Sequence, residues 1–265
     1  QMAQAGIDLK GSKINITPDG TLNGSNKNVG VNSVVVGYQN TASGEDGTIA
    51  YGANNTAIAN SALAVGNNNQ ATKGAATAIG VSSIAGGEAS VAIGNVAQAT
   101  EIRTTAVGNR ATATQDSASA YGNRANASAQ FATAIGDNSH ASAAAVAVGT
   151  HANASHQDSI AIGRNASGAW TNAIAVGKDT VANKDHALAM ATEAKASGVQ
   201  SIAIGSYSNA SANSVVSIGQ ESKAGGDGSG TAAVAVGYLA NASAANTVAA
   251  GKSASASVDN AVALG

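Results

Sequence analysis

The sequence predicts an all-β fold, a parallel β-solenoid built from coils of about fourteen residues. Three observations predict it. A short apolar phrase ending in Gly recurs, as in Ser90-Val91-Ala92-Ile93-Gly94, Ser159-Ile160-Ala161-Ile162-Gly163 and Ser201-Ile202-Ala203-Ile204-Gly205. The phrases close at positions 37, 52, 66, 80, 94, 108, 122, 136, 149, 163, 177, 191, 205, 219, 237, 251 and 265, which are 14 apart except for one interval of 15, one of 13 and one of 18. Only Ala191 departs from Gly. Finally, aromatic residues are 3% of the chain and Gly numbers 32, so a core of large side chains cannot be built.

The chain divides at about residue 28. In residues 1–28, Ile7 and Leu9, then Ile14 and Ile16, alternate with polar residues, and Pro18-Asp19-Gly20 marks a turn. One or two short strands are expected there, capping the first coil, because solenoids need protected ends. Residues 29–265 hold the repeats.

Each column of the repeat has its own chemistry. One before the Gly stands a large apolar residue in every copy but Ala250, and three before it stands Val, Ile or Leu, with Thr77, Thr105, Ser119 and Thr133 as polar exceptions. Between them is Ala, apart from Val35 and Ser217. Another Ala stands five after the Gly, with Gly168 as the exception. In a strand the first two columns share one face and the intervening Ala takes the other. The β-branched residues suit a pleated strand, and Gly in nearly every second heptad excludes a coiled coil. Fourteen residues accommodate two strands of about five residues and two tight turns rich in Asn, Ser, Thr and Asp.

The expected roll core is the large apolar column, with Ile93, Ile162 and Ile204 as examples. The intervening Ala column, with Ala92, Ala161 and Ala203, is expected to face outward as a narrow stripe of small residues. Such a stripe would form a subunit seam in a cyclic oligomer. The 18-residue interval holds Ala224-Gly225-Gly226-Asp227-Gly228-Ser229-Gly230, read as a loop of four extra residues; one Asp-containing copy is a poor match to a calcium-binding nonapeptide array.

Catalytic and cofactor chemistry finds no support in the sequence, and no cofactor is expected. There is no Cys, hence no disulfide or thiolate site. His140, His151, His156 and His186 fall at four different phases of the repeat, so they read as solvated turn residues. No carboxylate pair keeps a fixed relation, and no Gly-x-Ser-x-Gly elbow opens a helix. A net charge of −2 offers no footprint for nucleic acid, and no run of eighteen apolar residues could span a membrane. The N-terminus shows no basic region followed by an apolar stretch, so no signal peptide is expected.

What stands out is Trp170, midway between two phrases and hence in a turn. It is a candidate binding residue, as are Tyr38, Tyr207 and Tyr238 just after their Gly, and Asp227 in the loop.

The Ser-Val-Ala-Ile-Gly phrase at this period, with Ala five further on, closely resembles the head repeats of trimeric autotransporter adhesins, the YadA-like head, over about residues 29–265. The resemblance implies a left-handed parallel β-roll assembled as a homotrimer. It also implies display on the outer membrane of a Gram-negative bacterium, with the head exposed outside the cell. Stalk heptads and anchor strands are not in this chain, so membrane attachment would be through parts absent from it. The implied function is attachment to host matrix proteins (collagen, fibronectin, laminin) or host surface receptors, and autoaggregation in some relatives. A structural spacer, or attachment to inert surfaces, is the alternative. An ice-binding solenoid would need Thr in one fixed surface column; four before the Gly the residues are Ser33, Thr48, Ala62, Ala76 and Ser90, so that role is set aside.

Overall fold

The computed structural model describes residues 13–16, 26–30, 32–44, 46–226 and 231–265. The chain forms two compact units, residues 1–121 and 122–265. Both are parallel β-solenoids. Of the expected cap, Ile7, Leu9 and the Pro18-Asp19-Gly20 turn lie outside the described residues, as do Asp227 and the tip of the predicted loop at 227–230. Lys13–Ile16 is a strand, paired in parallel with Ser33–Val36, so that Ile14 meets Val34 and Ile16 meets Val36.

Every coil has a longer strand on the apolar phrase and a two-residue strand on the segment ending in the second Ala. In the first unit, Val91–Asn95 precedes Gln98–Ala99. In the second, Ile160–Ile162 precedes Ser167–Gly168. Each strand pairs with its equivalent in the next coil: Ala92 meets Ala106, Ala99 meets Ala113, and Ala161 meets Ala175. The irregular intervals leave this register intact. Val216 pairs with Val234 and Lys223 with Asn241, so the four additional residues are confined to the turn after Ala224. The missing residue of the 13-residue coil is taken from the same turn, since Asn126 still pairs with His140 while Thr133 pairs with Val146.

The interior reverses the expected faces. Ala92, Ala161 and Ala203 are fully buried inside the coil, whereas Ile162 is 40% exposed and Ile93 and Ile204 are only half-buried. Four columns line the inside. In the coil through Gly94 they are Ser90, Ala92, Ala97 and Ala99, all fully buried. A coil closed by two tight turns brings its strands so close that mostly methyl and hydroxyl groups fit between them, with Val35, Val215, Asn40, Asn55 and Asn69 as larger exceptions. Because strand alternation has a period of two, choosing the wrong phase exchanges every side chain between the faces. The column four before the Gly, considered above as a surface column, is one of these interior columns: Thr48, Thr104, Ser159 and Ser201 are fully buried. Their hydroxyls are satisfied locally; Thr104 Oγ1 donates to the Glu101 carbonyl at 2.6 Å and Ser159 Oγ to the His156 carbonyl at 2.7 Å.

Two turns close each coil, and both need left-handed backbone. Ser208 N–H donates to the Gly205 carbonyl at 3.0 Å, with Tyr207 between them at φ 61°. In the second turn, Ala173 N–H donates to the Trp170 carbonyl at 3.1 Å, with Asn172 at φ 56°. A positive φ at the third residue is the signature of type II turns, and Asn accepts it readily. The recurrent Gly is required for two reasons. Gly80 has φ 126°, and a Cβ placed there would stand 1.8 Å from the carbonyl oxygen of Gly94 in the next coil.

An interior feature of the first unit has no counterpart in the sequence reading. Asn40, Asn55 and Asn69 are fully buried, one per coil, three after their Gly. Asn55 N–H donates to Asn40 Oδ1 at 3.0 Å, and Asn55 Nδ2 donates to the carbonyls of Tyr51 and Gly66 at 2.9 and 2.7 Å. Asn69 N–H then takes Asn55 Oδ1 at 3.0 Å, and Ser83 N–H takes Asn69 Oδ1 at 2.9 Å. This ladder satisfies the buried amides completely, which is what makes a polar column tolerable in so narrow an interior.

Candidate functional site

Period and turn geometry together build the most distinctive surface feature. Trp170 is the first residue of its second turn. Fourteen residues either side, His156 and Lys184 hold the same position: Ser159 N–H donates to the His156 carbonyl and Ala187 N–H to the Lys184 carbonyl. Parallel in-register coils therefore stack the three side chains in one column. The His156 and Trp170 rings lie 5.6 Å apart between centroids, 6° from parallel. Lys184 Nζ lies over the Trp170 ring, 4.9 Å from its centroid. Trp170 is 41% exposed. Ser159 Oγ and the Ser155 hydroxyl, 3.4 Å from His156 Nδ1, brace the first rung.

Sequence reasoning placed Trp170 in a turn and treated His156 as an isolated turn residue. What it missed is the company: subtracting 14 from 170, and adding it, picks out both neighbours. The tyrosines lie elsewhere. Tyr207 and Tyr238 are exposed in the first turn of their coils, at the other end of the coil from the second. Tyr207, Glu221 and Leu239 follow one another in a single column and, with Lys223, line a shallow groove of about 420 Å³. Tyr38 is exposed in the first unit and joins neither group.

First-turn columns also carry exposed side-chain pairs one coil apart. Asn123 Nδ2 donates to Asp137 Oδ1 at 2.5 Å and Asn165 Nδ2 to Asp179 Oδ1 at 2.7 Å. These bonds hold both carboxyls below the usual carboxylate range. Burial lowers the His140 imidazole. Among the described residues, no group of three or more His, Cys, Asp or Glu could hold a metal ion.

The outward face of the longer strands is apolar. In the second unit Ile135, Ile162, Met190, Ile218 and Val236 are each about two-fifths exposed, all in the column before the Gly.

Parallel fourteen-residue coils with a small-residue interior and residues aligned in turn-borne ladders define a β-solenoid repeat protein. The chain belongs to the YadA head family. The model described as "YadA head domain repeat (2 copies)" matches residues 29–55, 71–97, 99–125, 127–145, 142–166, 171–190, 196–222, 229–254 and 242–265. No curated protein sequence matches the chain. Among solved structures it is similar to the crystal structure of the collagen-binding domain of Yersinia adhesin YadA, at 18% identity, covering 96% of this chain and 80% of that one, with a TM-score of 0.20.

Proposed function

We propose that this chain is the exposed head of a bacterial surface adhesin, attaching to host matrix proteins such as collagen, fibronectin or laminin, or to a host surface receptor. Membership of the YadA head family carries this reading. The repeat supports it physically, because a surface copied coil after coil offers many equivalent weak contacts whose linkage raises avidity. Trp170, Tyr38, Tyr207 and Tyr238 are among the exposed aromatics, with Tyr51, Tyr121 and Phe131, and would supply distinct contacts.

The head is proposed to be a homotrimer of left-handed rolls, standing on the outer membrane through segments outside this chain. What supports assembly is the aliphatic column of the outer face, from Ile135 to Val236, which a monomer would leave in water. The seam is thus assigned to Ile93, Ile162 and Ile204, with the small-residue column inside the coil. Immobilised collagen, fibronectin and laminin offered to the purified chain test the function, with light scattering for the assembly. Saturable, avid binding to at least one matrix protein and a trimer mass are expected. A monomer that binds none would overturn the reading, and a trimer that binds none would make the head a spacer.

A further inference from the structure

The column His156–Trp170–Lys184 is a set of hydrogen-bond donors facing solvent. Trp170 offers one N–H and no acceptor, Lys184 three N–H groups and no acceptor, and the His156 imidazole at least one N–H. Among the described residues nothing accepts the indole N–H, and the ion pairs involve Arg164, Lys178 and Asp179 but not Lys184. The Lys184 ammonium is nevertheless held in place, 4.9 Å over the indole. Its side-chain freedom is already reduced, which lowers the entropic cost of engaging a ligand. At either end of the column stand Ser142 and Gly198, small residues that supply no pocket for a peptide side chain.

From this we infer that the column binds an acidic glycan chain: the indole edge and the Lys184 ammonium receive one sulfate or carboxylate, and His156 supports the ring from its far face. An extended polyanion fits better than a compact ligand, because the site is a ridge of aligned rungs and not a cavity. Asp158 and Asp185 occupy the same turns and oppose the charge of Lys184, so single-site affinity is modest and the polymer's repetition supplies the rest. The inference deepens the adhesin reading, on which it rests, by naming a second ligand class with its own site.

Trp170 is the only Trp in the chain, so its fluorescence reports this site alone. The full chain is titrated with heparin oligosaccharides, hyaluronan oligosaccharides, dextran and poly-L-glutamate. A saturable fluorescence change with heparin or hyaluronan, weakened by salt and absent with dextran, is expected. Lys184→Gln should weaken it roughly tenfold, the worth of one charge-assisted hydrogen bond, and Asp185→Asn should strengthen it. Lys178→Gln, in the other turn, should leave it unchanged. No saturable change with either acidic glycan, an equal response to dextran, or full binding by Lys184→Gln would overturn the proposal. Tighter binding of poly-L-glutamate than of both glycans would assign the site to acidic peptides instead. Because the ligands are soluble glycans, failure here leaves matrix attachment to be judged by its own assay.

Discussion

Ala161 is completely buried and Ile162, the next residue of the same strand, is 40% exposed. The coil thus keeps methyl-sized groups inside and puts its larger aliphatic side chains outside. Its internal stability comes from close contact between small residues and from backbone ladders.

Ala161→Leu should therefore destabilise the coil by about 1–3 kcal/mol or more, since three additional heavy atoms must enter a filled interior. Urea denaturation followed by circular dichroism measures it. Unchanged stability would show that the interior has room and that the assignment of faces is wrong.

The Gly column predicts effects of opposite sign. Gly80→Ala should be strongly destabilising, because the new Cβ would overlap the Gly94 carbonyl oxygen and φ 126° is foreign to Ala. Ala191 already stands in that column at φ 92°, so Ala191→Gly should stabilise by about 1 kcal/mol. Melting temperatures of the two variants should move in opposite directions.

Position three after the Gly predicts another pair. Asn55→Ala leaves the Tyr51 and Gly66 carbonyls and the Asn69 N–H without their partner, and should cost about 3 kcal/mol. Ser208 occupies the same column in the second unit, fully buried, with its hydroxyl unpaired. Ser208→Ala should stabilise by about 1 kcal/mol, as Ala194 and Ala166 already fill equivalent places. Denaturant midpoints that shift in the same direction for both variants would contradict the ladder argument.

Stability should fall on acidification through two windows. Burial lowers His140, so the unfolded chain takes up a proton first as pH drops below about 6.5, and stability declines until the folded pKa is passed. His140→Asn should flatten that slope, and Asn126 and Asn153 already occupy the same column in the adjacent coils. Asp137 and Asp179 act lower down: their folded pKa values are depressed chiefly by Asn123 and Asn165, so their contribution is complete above about pH 4 and lost below it. Thermal melts from pH 3 to 8 should show both declines, and only the upper one should depend on residue 140.

The seam assignment predicts that Ile162→Asp separates subunits without unravelling the coil. Charge on an outward side chain leaves the interior intact but places an unpaired carboxylate in an apolar interface. Light scattering should show loss of the trimer while far-UV circular dichroism keeps its strand signal. A variant that stays trimeric would remove Ile162 from the seam.

Sequence alone determined the repeat, its strands and its turns, because a period of 14 in register requires only that equivalent residues be counted. It placed the four additional residues between Ala224 and Val234, where the strand register also has them. It also put Trp170, Tyr207 and Tyr238 at the surface, because their positions fall among turn residues. Which face of the strand is the inside was decided only by the tertiary structure. Alternation of Ala with Ile is equally consistent with either phase, and the choice depends on how close two turns of fixed geometry bring the strands together. The same limit hid the Asn40–Asn55–Asn69 ladder and the His156–Trp170–Lys184 column. Both depend on side chains 14 or 15 residues apart being stacked one coil apart in space, a relation made by backbone hydrogen bonds between coils and invisible to any local reading of the chain.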